Sequence, residues 1–288
     1  MTTTALLLRT INALLMVGIP CFLVLILVRR GEDGFRPIGI GIVAFLISQA
    51  AHIPFNYFLL TPALESGGIW TAVTGWRLLV LGMVLGLSAG VFEEITRYVA
   101  FRFWLTKNPN QLLPVKFGIG HGGIEAFLLG LLALYALIQV LVLGGKGALD
   151  SFSPDQTALI QSQIDTYWNI PWYQSLLGAW ERVAAMVFHL GASLMVYKSV
   201  RQKKIIWLMI AIGGHALLDA FAVVALQMLD FVLLESILLA FAMGWLYWAW
   251  LVREQPNERV PVINIPRKTI PVAGEFTTEQ LEESRYDE

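Results

Sequence analysis

The sequence predicts an all-α fold, a polytopic membrane helix bundle of about seven, or eight, transmembrane helices. Hydrophobic residues make up 57% of the 288 residues and charged residues only 14%, which is more apolar surface than a soluble domain of this size can bury. Apolar stretches recur that are long enough to cross a bilayer, which takes about 20 helical residues. The 10 tryptophans cluster at the ends of these stretches, where membrane proteins place interfacial aromatic residues.

The spans follow one another along the chain. The first, at about residues 4–28, is long, ends in Arg29-Arg30 and has no small-residue cleavage pattern, so we expect a retained helix and not a signal peptide. It contains the one cysteine of the chain, Cys21, which we expect to pack. Six more spans are predicted at about 37–60, 77–105, 117–143, 176–199, 205–228 and 230–252.

Basic residues predict the orientation of the bundle. They concentrate at alternate connections, and the opposite connections carry few of them. Cytoplasmic loops are enriched in Lys and Arg, so we expect an outside N-terminus and a cytoplasmic C-terminus, in a multi-pass protein of the plasma (cell) membrane. The basic residues on the predicted cytoplasmic side are Arg29, Arg30, Arg36, Arg102, Lys107, Lys116, Lys198, Arg201, Lys203, Lys204 and Arg253.

Two segments lie outside the predicted spans. The outer loop at about 144–175 is long enough to hold a short interfacial helix. Residues 255–288, with spaced prolines and an acidic end, are predicted to be a disordered cytoplasmic tail. The domain organisation is therefore a transmembrane helical bundle over 1–254, with a catalytic core at about 77–252, followed by this tail.

The third span carries Glu93, Glu94 and Arg97 deep inside apolar sequence. Ionisable residues are costly in a membrane and are functional candidates by default. The spacing lets either carboxylate pair with Arg97 on the same helix. A purely structural ion pair needs only one of the two acids, so the adjacent pair favours a functional site.

Histidines with acidic partners appear on the later spans. His121 and Glu125 lie one turn apart at the start of the fourth, and Glu125 is expected to orient the His121 ring. On the sixth, His215 and Asp219 have the same spacing, so Asp219 can fix the tautomer of the ring. His189 on the fifth is either a further site residue or a buried histidine bonded to a neighbour.

Depth places these groups together. Counted from the basic flanks at ~1.5 Å per residue, Glu93, Glu94, His121, His189 and His215 lie within roughly 8–20 Å of the cytoplasmic edge. We expect them to meet in one cavity that opens inward.

Acids and imidazoles in such a cavity suit hydrolysis, because a carboxylate can take a proton from water and imidazoles can position it or stabilise an oxyanion. Alternatively, Glu93, His121, His189 and His215 could bind zinc and activate water, although no HExxH motif is present. Proton-coupled membrane transporters use similar buried groups, so that class stays open, as does a catalytically silent scaffold.

Three ordered motifs carry a family resemblance. Glu93-Glu94 followed by Arg97, then F-x-x-x-H ending at His121, then H-x-x-x-D from His215 to Asp219, resemble the glutamic-type intramembrane proteases of the CPBP superfamily, which includes CAAX prenyl proteases and bacteriocin-processing enzymes. The EExxRY form and the GIGHGGIE run are closer still to the YhfC family. The resemblance covers about 90–250, although the wider group spaces its arginine one residue later.

The resemblance implies an intramembrane endopeptidase. Glu93 would activate water with His121 as its partner, and His215 with Asp219 would stabilise the oxyanion. Glu94 and Arg97 would organise the site. Independently of the resemblance, we count Glu94 among the catalytic candidates and expect Glu125 and His189 to organise the site with Arg97, although His189 has no counterpart in the three motifs. We therefore expect an enzyme without a cofactor, with a zinc-dependent protease as the alternative. The expected partners are the lipid bilayer and a membrane-embedded or lipidated peptide or protein substrate, and no nucleic acid.

Overall fold

The structure is a computed structural model and describes residues 2–31, 33–71, 74–105 and 110–253. All regular secondary structure in these ranges is helical. The prediction of a disordered tail at 255–288 lies outside the described residues. Within them, the all-α prediction is confirmed.

The α-helices follow the predicted spans, with additional short helices between some of them. Five-residue π-helical turns, Asn56–Leu60 and Ala100–Trp104, extend α2 and α4, and a short 3-10 helix, Trp172–Leu176, leads into α7. The α-helices are α1 (Thr3–Val28), α2 (Arg36–Phe55), α3 (Thr61–Ser66), α4 (Gly75–Val99), α5 (Leu112–Leu143), α6 (Pro154–Asn169), α7 (Leu177–Gln202), α8 (Ile206–Ala225) and α9 (Phe231–Val252).

Seven helical segments of the described chain are long and apolar enough to cross a membrane, which confirms the predicted multi-pass membrane bundle. The second runs to Ser66 and the fourth begins at Leu112, so both are longer than predicted. The second continues because the backbone stays helical through a π-helical turn after Pro54, which has no N–H to donate.

The interfacial helix predicted in the loop between the fourth and fifth spans is α6. It begins with a capping box, in which Ser153 and Gln156 bond each other's backbone N–H. Near its other end, the Arg9 guanidinium of α1 lies 4.2 Å from the Tyr167 ring centroid, a cation–π contact. Helix α6 is therefore attached to the end of the bundle at which α1 begins.

Helix α7 lies at the centre of the bundle and packs against α1, α4, α5, α8 and α9. In the most apolar stretch of its span 61% of the residues are buried, whereas the corresponding share is 17% in α1 and in α5. The remaining major contacts pair α4 with α8 and α2, and α5 with α1 and α2. The buried polar residues of α7, such as His189 and Ser193, therefore face other helices.

Helices α4 and α8 approach closely through three glycines spaced four residues apart on α4. A Cβ at Gly82 would lie 2.9 Å from the carbonyl oxygen of Ala220, and one at Gly90 would lie 2.8 Å from that of Ile212. A Cβ at Gly86 would overlap the carbonyl of Ala216. Small residues at this spacing allow backbones in membranes to pack directly. The stripe ends one turn before Glu93, so it brings the carboxylates of α4 beside α8.

Helices α2 and α5 are in similarly close contact. A Cβ at Gly41 would overlap the carbonyl of Phe117, and one at Gly120 would overlap the carbonyl of Ile38. The backbone of α2 therefore lies directly against the turn of α5 that carries His121.

Candidate active site

Four helices bring the eight predicted site residues into one cluster. Each residue lies within hydrogen-bond or ion-pair distance of at least one other. The rings of His121 and His189 are 5.1 Å apart between centroids, and those of His189 and His215 are 5.6 Å apart. The residues are Glu93, Glu94 and Arg97 on α4, His121 and Glu125 on α5, His189 on α7, and His215 and Asp219 on α8.

Glu93 is contacted by side chains from three other helices. Its Oε2 lies 3.1 Å from His121 Nε2, and its Oε1 accepts from Gln49 Nε2 of α2 at 2.9 Å. His215 Nε2 lies 4.0 Å from the same Oε2. The His121 ring is enclosed by Phe45, whose centroid is 5.3 Å away, and by Phe117 at 6.0 Å.

Glu94 is the carboxylate that pairs with Arg97. Its Oε2 lies 3.2 Å from Arg97 Nε, three residues along the helix, and its Oε1 accepts from His215 Nδ1 at 2.9 Å. Both members of the ion pair are fully buried. The spacing in the sequence allows either acid to pair with Arg97, and in the structure Glu93 lies outside this pair.

Arg97 also joins α4 to α7. Its Nη1 donates to His189 O and to Ser193 Oγ, both at 2.9 Å. Its Nη2 lies 3.1 Å from His189 Nδ1. Because a guanidinium can only donate, His189 Nδ1 accepts this hydrogen bond and the ring carries its proton on Nε2.

Glu125 serves a different histidine from the one its spacing predicts. Its Oε2 accepts from His189 Nε2 at 2.8 Å, and its Oε1 accepts from Arg182 Nη1 at 2.5 Å. Arg182 also pairs with Glu181. Glu125 shares a face with His121, but α7 packs closer to that face and supplies its partners.

His215 and Asp219 lie side by side, as their spacing predicts. His215 Nε2 is 3.7 Å from Asp219 Oδ2, too long for a hydrogen bond, and the Asp219 side chain is 37% exposed. His215 Nδ1 is fixed by Glu94 instead. Asp219 is therefore the most exposed carboxylate of the cluster.

A cavity of about 140 Å³ adjoins the cluster. Glu93, His189, His215 and Asp219 form one side, and the lining continues past Ala184, Ala185 and Ala222 to Glu181 and Leu238. It thus extends toward the end of the bundle at which α7 and α9 begin. The expectation that it extends toward the basic end is wrong, because Phe101, Leu113, Phe117, Leu194, Met195 and Leu208 fill the core there.

Three buried residues of the cluster could hold a metal ion. Glu93, His121 and His189 each offer one ligand atom, and these atoms lie within 4.8 Å of one another. His121 Nδ1 is buried without a hydrogen-bond partner in the described chain. The 3.1 Å between His121 Nε2 and Glu93 Oε2 is close to the spacing of two ligands that share a tetrahedral zinc at about 2.0–2.2 Å.

His189 fits the metal group with one rearrangement. Both of its ring nitrogens have partners, so it would have to release Glu125 or Arg97 to ligate. Glu125 can be released at low cost because its other oxygen stays bonded to Arg182. The donor set, one carboxylate and two imidazoles, is typical of zinc sites. The residues present therefore fit a metal.

Sequence reasoning missed Gln49 and Ser193. Each makes its contact across helices, which helical spacing within one segment does not reveal. Gln49 alone had a usable signal, because an uncharged amide in the middle of an apolar span must find a polar partner within the membrane.

Comparison with known proteins gives a family for these motifs. A model of the family described as YhfC intramembrane metalloprotease matches residues 14–239. The chain is similar to a Bacillus subtilis (strain 168) protein named uncharacterized membrane protein YhfC, with 32% identity over 140 residues. That alignment covers 48% of this chain and 54% of the relative, so the chain spans about half of the relative's length. No solved structure matches.

Proposed function

The chain belongs to the YhfC family, and from this premise we propose that it is an intramembrane endopeptidase, a hydrolase that cleaves a membrane-associated peptide or protein with a metal ion held in the candidate site. The observation that carries the proposal is the buried group of Glu93, His121 and His189, of which Glu93 and His189 line a cavity. About 140 Å³ is room for several water molecules. A space lined by acids and histidines, and large enough for water, suits hydrolysis better than packing.

The family description as a metalloprotease supports the zinc alternative over the expectation of no cofactor. We assign Glu93, His121 and His189 as the residues that would hold the ion. Zinc there would supply Lewis-acid activation of water and of the scissile carbonyl. His215, which the sequence includes in the metal set, stands outside the group whose ligand atoms lie within 4.8 Å.

The remaining cavity residues handle protons. Asp219 has no hydrogen bond in the described chain and faces the cavity, so it accepts the proton of the attacking water. It returns that proton to the amide nitrogen as the carbon–nitrogen bond breaks. His215 would act as an imidazolium, with its Nδ1–H bonded to Glu94 and the carboxylates of Glu94 and Asp219 balancing its charge, so that its Nε2–H can be donated to the carbonyl oxygen. The resemblance pairs Asp219 with His215 at the oxyanion, but an ionised carboxylate cannot donate a hydrogen bond, so that role is left to His215.

A metal-free glutamic mechanism is the second candidate. The 3.1 Å contact between Glu93 Oε2 and His121 Nε2 favours it, because a carboxylate paired with an imidazole can activate water directly. In that mechanism Glu93 is the base and His121 its partner. The mechanism would then be the glutamic one of the CPBP superfamily, which the motifs resemble.

The substrate would be embedded in or attached to the bilayer, because the cavity lies within the span of the helices. We propose that the protein is located in the plasma membrane.

The function is tested by comparing new peptide termini in membranes from cells that express the wild-type chain or Glu93→Gln. Glu93→Gln keeps the shape of the side chain and removes its charge, so cleavage should cease while the protein stays folded. The exposed Glu65 provides the control, since Glu65→Gln should cleave like wild type. Identical termini in wild type and Glu93→Gln would contradict the protease and direct attention to proton-coupled transport.

Metal content separates the two mechanisms. Purified wild type should hold about one zinc ion per chain, and a chelator should remove activity that added zinc restores. His121→Ala should lose the ion. His52→Ala should keep it, because His52 bonds Ser88 on α4 and Asn56 in the π-helical turn after α2, outside the metal group. Full activity of a zinc-free, chelator-treated enzyme would favour the metal-free mechanism.

A further inference from the structure

The two adjacent carboxylates of α4 differ in what holds them. Glu94 is paired with the cationic Arg97, so most of its charge is neutralised inside the protein. Glu93 has no arginine or lysine partner in the described chain, and its nearest contacts are the amide of Gln49 and the ring of His121. A neutral donor such as an amide fixes the direction of a carboxylate and leaves its negative charge available to a cation or to a proton.

Gln49 separates the two oxygens of Glu93. Its Nε2 lies 2.9 Å from Oε1, while His121 and His215 face Oε2. Because a carboxylate oxygen only accepts hydrogen bonds, the amide must present its NH₂ group to it. With Oε1 occupied, the carboxylate plane cannot turn freely, and Oε2 stays directed at His121.

Helix α2 is built to deliver this amide. Gly41 lets α2 lie against the backbone of α5 beside His121. One turn later Phe45 packs edge-on against the His121 ring, and Gln49 follows one further turn along the same face. Both members of the Glu93–His121 pair are therefore contacted from α2.

We propose that Gln49 is a positioning residue of the active site, which acts through Glu93 to hold Oε2 toward the metal ion. The inference rests on the proposed function. Hydrogen-bond partners of metal-ligating carboxylates typically contribute about 10–100-fold to metal affinity or activity, and Gln49 makes such a bond here.

The test compares Gln49→Leu with wild type in the full-length protein, using zinc affinity, kcat, KM and thermal unfolding. We expect zinc to bind about 10–100-fold more weakly and kcat to fall by a similar factor, with KM and the melting temperature little changed. The weaker zinc binding is a readout that a purely structural role would not produce. Gln139→Leu is the matched control, because Gln139 is exposed and bonds only Tyr135 in the described chain.

Each other outcome decides against the inference. Wild-type zinc affinity and kcat in Gln49→Leu, with Glu93→Gln inactive, would reject Gln49 while the proposed function stands. A lower melting temperature with normal kcat and zinc affinity would make Gln49 a packing residue. A wild-type protein that neither binds zinc nor cleaves peptides would reject the proposed function and Gln49's role together.

Discussion

Arg97 is the residue on which the buried polar contacts of the site converge. It forms an ion pair with Glu94 on its own helix and donates hydrogen bonds to three acceptors on α7, namely His189 O, His189 Nδ1 and Ser193 Oγ. A charge in the bundle interior is tolerated only when it is paired and its donors are satisfied. Arg97 therefore supports the site through both Glu94 and the orientation of the His189 ring.

We expect Arg97→Ala to lower the free energy of unfolding by about 3–5 kcal/mol, because it leaves the buried Glu94 carboxylate unpaired. Denaturation in detergent micelles measures this. Arg102→Ala, at an exposed position near the end of the same span, should change stability by less than about 0.5 kcal/mol. Equal effects of the two substitutions would show that the ion pair is not buried in the membrane.

At this scale the sequence predicts contacts within a helix better than contacts between helices. The four-residue spacing of His215 and Asp219 correctly predicts neighbours, and the three-residue spacing of Glu94 and Arg97 allows the observed pair. The partner of Glu125 was missed because Glu125 faces α7, and helical spacing carries no information about which neighbour covers a face.

At the scale of helices, the glycine stripe of Gly82, Gly86 and Gly90 determines how near α8 comes to α4. The carbonyls of α8 lie directly against these glycines, so their positions fix both separation and register. His215 lies on α8 between the carbonyls that face Gly86 and Gly90. The Glu94–His215 hydrogen bond of 2.9 Å depends on this approach.

We expect Gly86→Ala to reduce kcat by about 100-fold, since the added Cβ overlaps the carbonyl of Ala216 and a displacement near 1 Å at a site can cost that much. An assay of the proposed peptidase activity measures this reduction in kcat. Gly213→Ala is the matched control, because nothing lies within 4 Å of a Cβ at Gly213 on α8. Wild-type activity in Gly86→Ala would show that the two helices can separate without harm to the site.

The helices themselves could be predicted from apolar length alone, and seven spans were found as expected. The extension of the second span beyond residue 60 could not be predicted in this way, because the backbone stays helical through the π-helical turn after Pro54, where hydropathy declines. The direction of the cavity was also missed. It depends on small side chains at one end, such as Ala184 and Ala222, and on a filled core at the other.

At the scale of the whole molecule, orientation in the membrane decides from which side a substrate reaches the cavity. The cavity extends toward the end at which α7 begins, and the basic flanks predict that this end faces outside. If so, the proposed substrate would enter from the outer half of the bilayer.

Orientation can be measured with single cysteines in a Cys21→Ser background. Ala158→Cys on α6 should react with an impermeant thiol reagent in intact cells, because the positive-inside rule places α6 outside. Lys204→Cys, between α7 and α8, should react only after permeabilisation. Both positions are exposed. Reaction of Lys204→Cys alone in intact cells would reverse the topology and the side of substrate entry.

The pairing of Glu94 with Arg97 on one helix also affects the order of events while the chain is being made. Helix α4 enters the membrane before its partners His121, His189 and His215 have been synthesised, since all three lie later in the chain. An internal ion pair lets α4 insert with Glu93 as its single uncompensated charge between Val91 and Val99. His121 arrives with the next helix, but His215 arrives only with α8. The nascent chain therefore cannot assemble the complete candidate site until its sixth span has been inserted, so the proposed peptidase would be inactive until then.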